Sequence, residues 1–272
     1  MSIKLVAFDL DGTLLSDNKT VSELDKQTLK ELGIKGIVRV AATGRNLFSI
    51  QRLLRTDFPI DFAVFSSGSG IINWKSKEVL HKNHLKEAEI IQAIDAFMRN
   101  NLSFTVHLPI PKTHYMYLKL QDNNSVDLKN YTHFYKEYLS ELDLNKIPKE
   151  ATQLIALINN NKEMFTILSN ELANLKVVLT TSPIDNSSLW VEIFNKNVSK
   201  ANGLNWICNK LQIKSKETFS IGNDYNDLDM LNFTQHSFVV KNGKEELKQM
   251  FSISQSNNEN GFTFALQQVI EI

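Results

Sequence analysis

A single cysteine, Cys208, among 272 residues excludes an intramolecular disulfide and any zinc cluster built on several thiolates. The N-terminus reaches an acidic residue at Asp9, too soon for a secretory apolar segment, so a cytoplasmic protein is expected. Long apolar runs are missing too, and nothing approaches the ~18 residues of a membrane span. Charge of one sign is also lacking, because 30 Lys and Arg stand against 30 Asp and Glu. No whole-chain field draws the protein to nucleic acid or an anionic membrane, and neither is expected as a partner. Internal repeats and low-complexity tracts are absent, and no obligate protein partner is evident.

What is present is ordinary globular composition, 42% hydrophobic and 22% charged, enough for a sizeable core. At roughly 100 to 200 residues per domain, the length exceeds what one small α/β sheet needs. Apolar runs at residues 5–8, 37–42 and 62–65 read as buried strands, with helical stretches at 22–33 and 47–54 between them. Ser22 with Asp25 three residues on forms a capping pattern, and Gly33 is placed to end that helix. This alternation predicts a parallel sheet with crossover helices.

From about His84, after a helix at 86–99, strands at 102–107 and 114–120 follow one another with no helix between them. They predict a separate α+β unit, continued by a helix at 128–142, a strand at 153–158, a helix at 162–175 and a strand at 177–181. After Ser188 the first rhythm resumes with a strand at 190–194, a helix at 201–211 and strands at 218–222 and 238–240. The expected architecture is α/β: a doubly wound parallel-sheet domain from residues 1–83 and 188–272, with an α+β domain inserted at 84–187.

The chemistry-bearing residues collect at the C-terminal ends of the core strands, where open α/β sheets place their ligand crevice. Asp9 and Asp11 follow the first strand, and their i, i+2 spacing can aim both carboxylates into one space; alone, Asp-x-Asp-Gly reads equally as a turn. Thr43-Gly44 ends the second strand with a hydroxyl beside an exposed backbone N–H, which suits a phosphate oxygen. Lys200 precedes a helix, so its ammonium and the helix N-terminus can converge on one anion. Gly222-Asn223-Asp224-Tyr225-Asn226-Asp227 offers carboxylate and amide oxygens suited to Mg²⁺, and serves equally as an Asx-rich turn capping the next helix.

Taken in this order, the segments resemble the haloacid dehalogenase superfamily, whose phosphatases carry Asp-x-Asp-Gly-Thr, then Ser or Thr, then Lys, then Gly-Asp-x-x-Asn-Asp. Here these are Asp9-Leu10-Asp11-Gly12-Thr13, Thr43-Gly44-Arg45, Ser199-Lys200 and Gly222 to Asp227. The inserted segment resembles the large cap of the Cof-type branch (subclass IIB), and Val240-Lys241-Asn242-Gly243 and Asn260-Gly261 resemble that branch's tail. The resemblance implies a Rossmann-like core, a cap that selects substrate, and Mg²⁺-dependent hydrolysis of a small phosphorylated metabolite such as a sugar phosphate or cofactor phosphate.

By the same resemblance, Asp9 is the nucleophile that forms an aspartyl-phosphate and Asp11 the general acid and base. The implied metal ligands are Asp9, the Asp11 backbone oxygen, and Asn223 or Asp227. Leu10, Thr43, Gly44 and Lys200 are implied to hold phosphate, with Asn226 orienting Lys200 or the phosphate. Arg45, Asp185 and Asn186 are candidate substrate contacts, and His107, His114, Tyr115 and Tyr117 are further polar groups of the cap. Two departures stand out: Asn223 occupies the place of the family's acid, with Asp224 one position late, and Ser67-Gly68 stands where the branch often has Asn-Gly. A phosphomutase of the same superfamily and a non-catalytic phosphate-binding module stay open as alternatives; the latter needs neither Asp9 nor Asp11.

Overall fold

Leu5-Val6-Ala7-Phe8 is apolar and buried at every position, as expected of a parallel strand covered on both faces. In the computed structural model, which describes residues 2–121, 126–158, 160–182, 184 and 188–271, the side chains of 126 and 127 excepted, this run is β1 (Leu5–Phe8). The next strands are β2 (Val38–Ala42), β3 (Phe62–Phe65), β4 (Gly70–Asn73), β5 (Val79–Lys82), β6 (Leu85–Lys86), β7 (Phe104–His107) and β8 (Met116–Lys119). Then come β9 (Leu139–Glu141), β10 (Glu150–Ala151), β11 (Leu154–Leu157), β12 (Lys176–Thr181) and β13 (Leu189–Phe194). The last three are β14 (Thr218–Gly222), β15 (His236–Val240) and β16 (Ser252–Ser254). Of the helices, α1 spans Glu23–Ile34, α2 Leu47–Leu53, α3 Glu87–Arg99, α4 Val126–Phe134 and α5 Lys162–Glu171. The remaining ones are α6 (Lys200–Leu211), α7 (Leu228–Phe233), α8 (Glu245–Met250) and α9 (Gly261–Gln267).

The chain divides into two units, Met1–Arg45 with Ser49–Lys82 and Ser199–Ile272, and Asn46–Phe48 with Asn83–Val198. The first holds an eight-stranded sheet in the order β16-β15-β14-β1-β2-β3-β4-β5. It is parallel from β16 to β3, and its core includes Leu5, Val40, Val64 and Leu204, with Cys208 among them as a buried free thiol. The antiparallel pair β4 and β5 at one edge is unexpected from the sequence. Its strands are short, and their turn is made by Asn73, whose side chain accepts from the Lys75 and Ser76 backbone N–H groups, with Lys77 at φ 59°.

Ser22 caps α1 as its sequence predicts, accepting from Asp25 N at 3.0 Å. Gly33 lies inside the helix instead of ending it; the reversal comes at Gly36, with φ +72°. Gly33 has another use, since a Cβ there would sit 2.2 Å from Arg39 Nη1.

The second unit has a sheet in the order β12-β13-β11-β7-β8-β9 and a two-stranded ribbon of β10 and β6. Its core is built by Ile90, Ile94 and Phe97 of α3, Leu168 of α5, and Phe104, Leu154, Val191 and Ile193 of the sheet. Two expectations are corrected here. The strand at 190–194 does not return to the parallel sheet: as β13 it pairs antiparallel with β11 and β12, and the first unit resumes only at Ser199. The physical reason is that Val191 and Ile193 complete the second unit's core, a partnership that an apolar run alone cannot reveal. The helix expected to reach residue 142 stops at Phe134, and the chain returns as β9 beside β8. Among the described residues, no helix is long and apolar enough to cross a membrane.

Candidate active site

Parallel pairing of β1 with β2 and β14 brings three strand ends together, with Phe8 opposite Ala41 and Ile221. The residues that follow are therefore neighbours although remote in sequence: Asp9, Thr43 and the loop from Asn223. Asp9 N donates to Ile221 O at 3.0 Å and Thr43 N to Val64 O at 2.9 Å, so each strand's ladder extends to the first residue of its loop.

Lys200 enters from the first turn of α6, where Ser199 caps the helix by accepting from Asn202 N. Its ammonium is buried and donates to Asp9 Oδ1 and Asp227 Oδ1, both at 2.6 Å. Burial opposes the charge on Lys200, but the two carboxylates outweigh it and hold the ammonium above its ordinary value. Burial pushes the Asp9 carboxyl up to about 7, Lys200 pulling it down and Asp227 adding to the rise. Two buried carboxylates thus share one cation.

Asp227 completes the arrangement by folding back under its own loop. Its Oδ2 accepts from Asn223 N at 2.9 Å and Asp224 N at 3.0 Å while Oδ1 takes Lys200. Gly222 permits this, since a Cβ there would lie 2.6 Å from Asp227 Cβ and Cγ. With both oxygens engaged, Asp227 acts in this geometry as the anchor of Lys200 and the loop. Asp224 turns outward, its Oδ1 accepting from Tyr225 N at 2.7 Å with Lys244 Nζ 4.0 Å away. Asn223 turns inward: its Oδ1 accepts from Thr13 Oγ1 at 3.1 Å, and its Nδ2 lies 2.7 Å from where a Cβ on Gly12 would sit.

Asp11 is gripped by Arg45, Nε to Oδ2 at 2.5 Å and Nη2 to Oδ1 at 2.7 Å, with Lys19 Nζ 3.1 Å from Oδ1. Against a burial that would raise it, these hydrogen bonds hold the Asp11 carboxyl below its ordinary range. Arg45 also donates from its backbone N to Thr43 Oγ1 at 3.1 Å and from Nη1 to Ser49 Oγ at 2.9 Å. Gly44 is exposed, and Asn226 Nδ2 lies 3.9 Å from the point a Cβ on it would take. Asn226 is thus beside Gly44. Leu10 has a fully buried side chain, which leaves its backbone as the part available to a ligand.

The fold therefore gathers Asp9, Asp11, Thr43, Gly44, Arg45, Lys200, Asn223, Asn226 and Asp227 within the first unit. Asp185 and Asn186 lie outside the described residues. His107 belongs to the interior of the second unit, Nδ1 3.0 Å from Thr113 O and Nε2 3.2 Å from Thr105 Oγ1, and burial lowers its pKa to about 4. Sequence reasoning missed two bracing residues. Asn242 Nδ2 donates to Gly12 O at 2.8 Å, and Asn257, whose N donates to Asn242 Oδ1 at 2.9 Å, reaches Leu15 O at 3.0 Å. Both hold the turn that presents Asp11; for Asn242 the tail segment resembling the Cof-type branch was the available signal.

The donors that the resemblance implies here are oxygens of Asp9, the Asp11 backbone and the Asn223 amide, whose Oδ1 also accepts from Thr13 Oγ1. An all-oxygen set beside an excess of buried negative charge fits a hard divalent cation such as Mg²⁺. It is a lean set, because among the described residues no three His, Cys, Asp or Glu side chains converge to hold a metal.

Comparison with known proteins agrees with this geometry. A family model described as haloacid dehalogenase-like hydrolase matches residues 6–266. The chain is 23% identical over 289 residues to the 5-amino-6-(5-phospho-D-ribitylamino)uracil phosphatase YwtE of Bacillus subtilis, covering 98% of each chain. Its fold is similar to that of BT1666 from Bacteroides thetaiotaomicron, analysed among phosphatases of the same superfamily, with TM-score 0.81, 19% identity and coverage of 98% and 95%. It is similar also to that of the subclass IIB sugar phosphatase BT4131, with TM-score 0.75, 19% identity and coverage of 97% and 98%.

Proposed function

The chain belongs to the haloacid dehalogenase-like hydrolases, and from that premise we propose that it is a Mg²⁺-dependent phosphomonoester hydrolase that forms an aspartyl-phosphate on Asp9. The substrate proposed is a small phosphorylated metabolite, a sugar phosphate or cofactor phosphate. The observation that carries this reading is the buried Asp9–Lys200–Asp227 arrangement at the C-terminal edge of a parallel sheet. Relatives named for sugar and ribitylaminouracil phosphate hydrolysis support the substrate class.

In this mechanism an Asp9 carboxylate oxygen attacks phosphorus as the bond to the leaving alkoxide breaks, and Asp11 gives its proton to that oxygen. Water then attacks phosphorus, Asp11 takes a proton from it, and the bond from Asp9 breaks to release inorganic phosphate. Lys200 aims Asp9 and favours its ionised form against the rise that burial imposes, and with Thr43, Gly44 and the Leu10 backbone it supplies fixed donors for the phosphoryl oxygens. Asp11 first leaves Arg45 and Lys19, which hold it ionised, and carries to the leaving oxygen a proton taken from solvent or kept from the water split in the preceding turnover. Asp9, the Asp11 backbone oxygen and Asn223 are the residues to hold Mg²⁺, which when bound offsets the repulsion between a carboxylate and a phosphate dianion.

Phosphate release from a panel of phosphorylated metabolites, with and without Mg²⁺, tests the proposal. Asp9→Asn and Asp11→Asn should each lose at least about a hundredfold in rate. Full activity in Asp9→Asn contradicts the mechanism, and an isomerised product with little free phosphate would mark a mutase instead.

A further inference from the structure

The turn after β3 has no role in the mechanism so far, yet its backbone is unusual. Ser66 at φ 47° and Ser67 at φ 56° both carry a side chain in the left-handed region, and Gly68 follows at φ 109°. Consecutive residues with a Cβ adopt that conformation only where the surroundings impose it, and such positions concentrate at functional sites.

The surroundings here are the active-site loops. Ser66 N donates to Arg45 O at 2.8 Å and Ser67 N to Thr43 O at 3.0 Å, tying the turn to the Thr43–Arg45 segment. On its other side Gly68 lies so close to the residue before Lys200 that a Cβ would sit 2.2 Å from Ser199 O. The consequence is the placement of one side chain: Ser67 Oγ lies 3.6 Å from where a Cβ on Gly44 would be, and Asn226 Nδ2 lies 3.9 Å from that same point. Ser67 is partly buried, and its hydroxyl has no hydrogen-bond partner among the described residues.

We propose that Ser67 is a further substrate-contacting residue, its hydroxyl donating a hydrogen bond to a phosphoryl oxygen lodged beside Gly44. The inference rests on the phosphatase reading and deepens it. Three donors then converge at one place: the Gly44 N–H, the Asn226 amide and the Ser67 hydroxyl. The left-handed backbone is what turns Ser67 toward Gly44, so the strain and the contact have one cause. Asn, which tolerates that backbone better than most residues and carries a donor, is an acceptable substitute at this position.

The test uses the full-length enzyme with Mg²⁺, measuring p-nitrophenyl phosphate hydrolysis, inhibition by inorganic phosphate and the thermal midpoint. Ser67→Gly relieves the left-handed backbone by removing the Cβ together with its hydroxyl, so its thermal midpoint should hold or rise. Its inhibition constant for phosphate and its KM should nevertheless rise about tenfold, the scale of a hydrogen bond to a charged group, with kcat within about threefold. Ser67→Asn should keep phosphate inhibition close to that of the parent. An active Ser67→Gly enzyme with unchanged phosphate inhibition overturns this inference alone. A parent enzyme that neither hydrolyses phosphomonoesters nor binds phosphate overturns the phosphatase reading first, and this contact with it.

Discussion

Asn223 and Asp224 are adjacent in sequence and opposite in orientation. Asn223 faces Thr13 and the turn before it, whereas Asp224 faces Lys244 and solvent. On the proposed reading the Asn223 amide holds the metal and the neighbouring carboxylate does not, and the site then has one negative charge fewer than an acid at position 223 would give. Asn223→Asp should therefore bind Mg²⁺ more tightly, seen as a larger rise in thermal midpoint at a fixed Mg²⁺ concentration. Asn223→Ala should raise the Mg²⁺ concentration needed for activity, and Asp224→Ala should leave it near the parent value. A stronger effect from Asp224→Ala would show that Asp224, not Asn223, holds the metal. The sequence pattern pointed to Asp9, Asp11, Thr43 and Gly44 because their positions follow strand ends, which are readable from apolar runs, and to Lys200 because it stands at the start of a helix. It could not choose among Asn223, Asp224 and Asp227, because the choice depends on Gly222 letting Asp227 fold back under the loop. Ser67 stood out only as a departure from the branch's Asn-Gly, with no role attached, because Ser-Ser-Gly-Ser has the composition of any surface turn.

At the scale of elements, β13 was visible as a strand, but its partners were not. Its face toward α3 and α5 buries Val191 and Ile193, and on the other side of the strand Glu192 stands opposite Ile155 and Val178. Burial raises the Glu192 carboxyl to about 7, a rise that the neighbouring Thr180 only partly offsets. The sign follows from proton uptake: with the folded pKa above the unfolded value, the native state holds the extra proton between the ordinary value of 4.5 and about 7. Glu192 therefore contributes fully below that window, and its contribution is lost as pH rises through it. Glu192→Gln should accordingly match the parent in denaturant stability near pH 4 and exceed it by about 1–2 kcal/mol at pH 8. A difference that does not vary with pH would show that Glu192 titrates normally.

At the scale of the molecule, the balanced charge of the chain conceals a local imbalance: Asp9 and Asp227 share Lys200 in a buried place. The surplus length is explained by the second unit, which has its own sheet and its own apolar core. Because Asn83–Val198 is continuous in the chain and contains every strand of that core, it should fold cooperatively when expressed alone, with a single thermal transition and dispersed amide resonances. A fragment without a cooperative transition would mean that this core depends on the rest of the chain. The most direct test of the central claim is chemical. Reaction with ³²P-labelled phosphomonoester substrate and Mg²⁺, quenched in acid within one turnover, should leave label on the peptide containing Asp9, and none in Asp9→Asn. Phosphate released at an undiminished rate with no label on Asp9 in any quench would contradict the account.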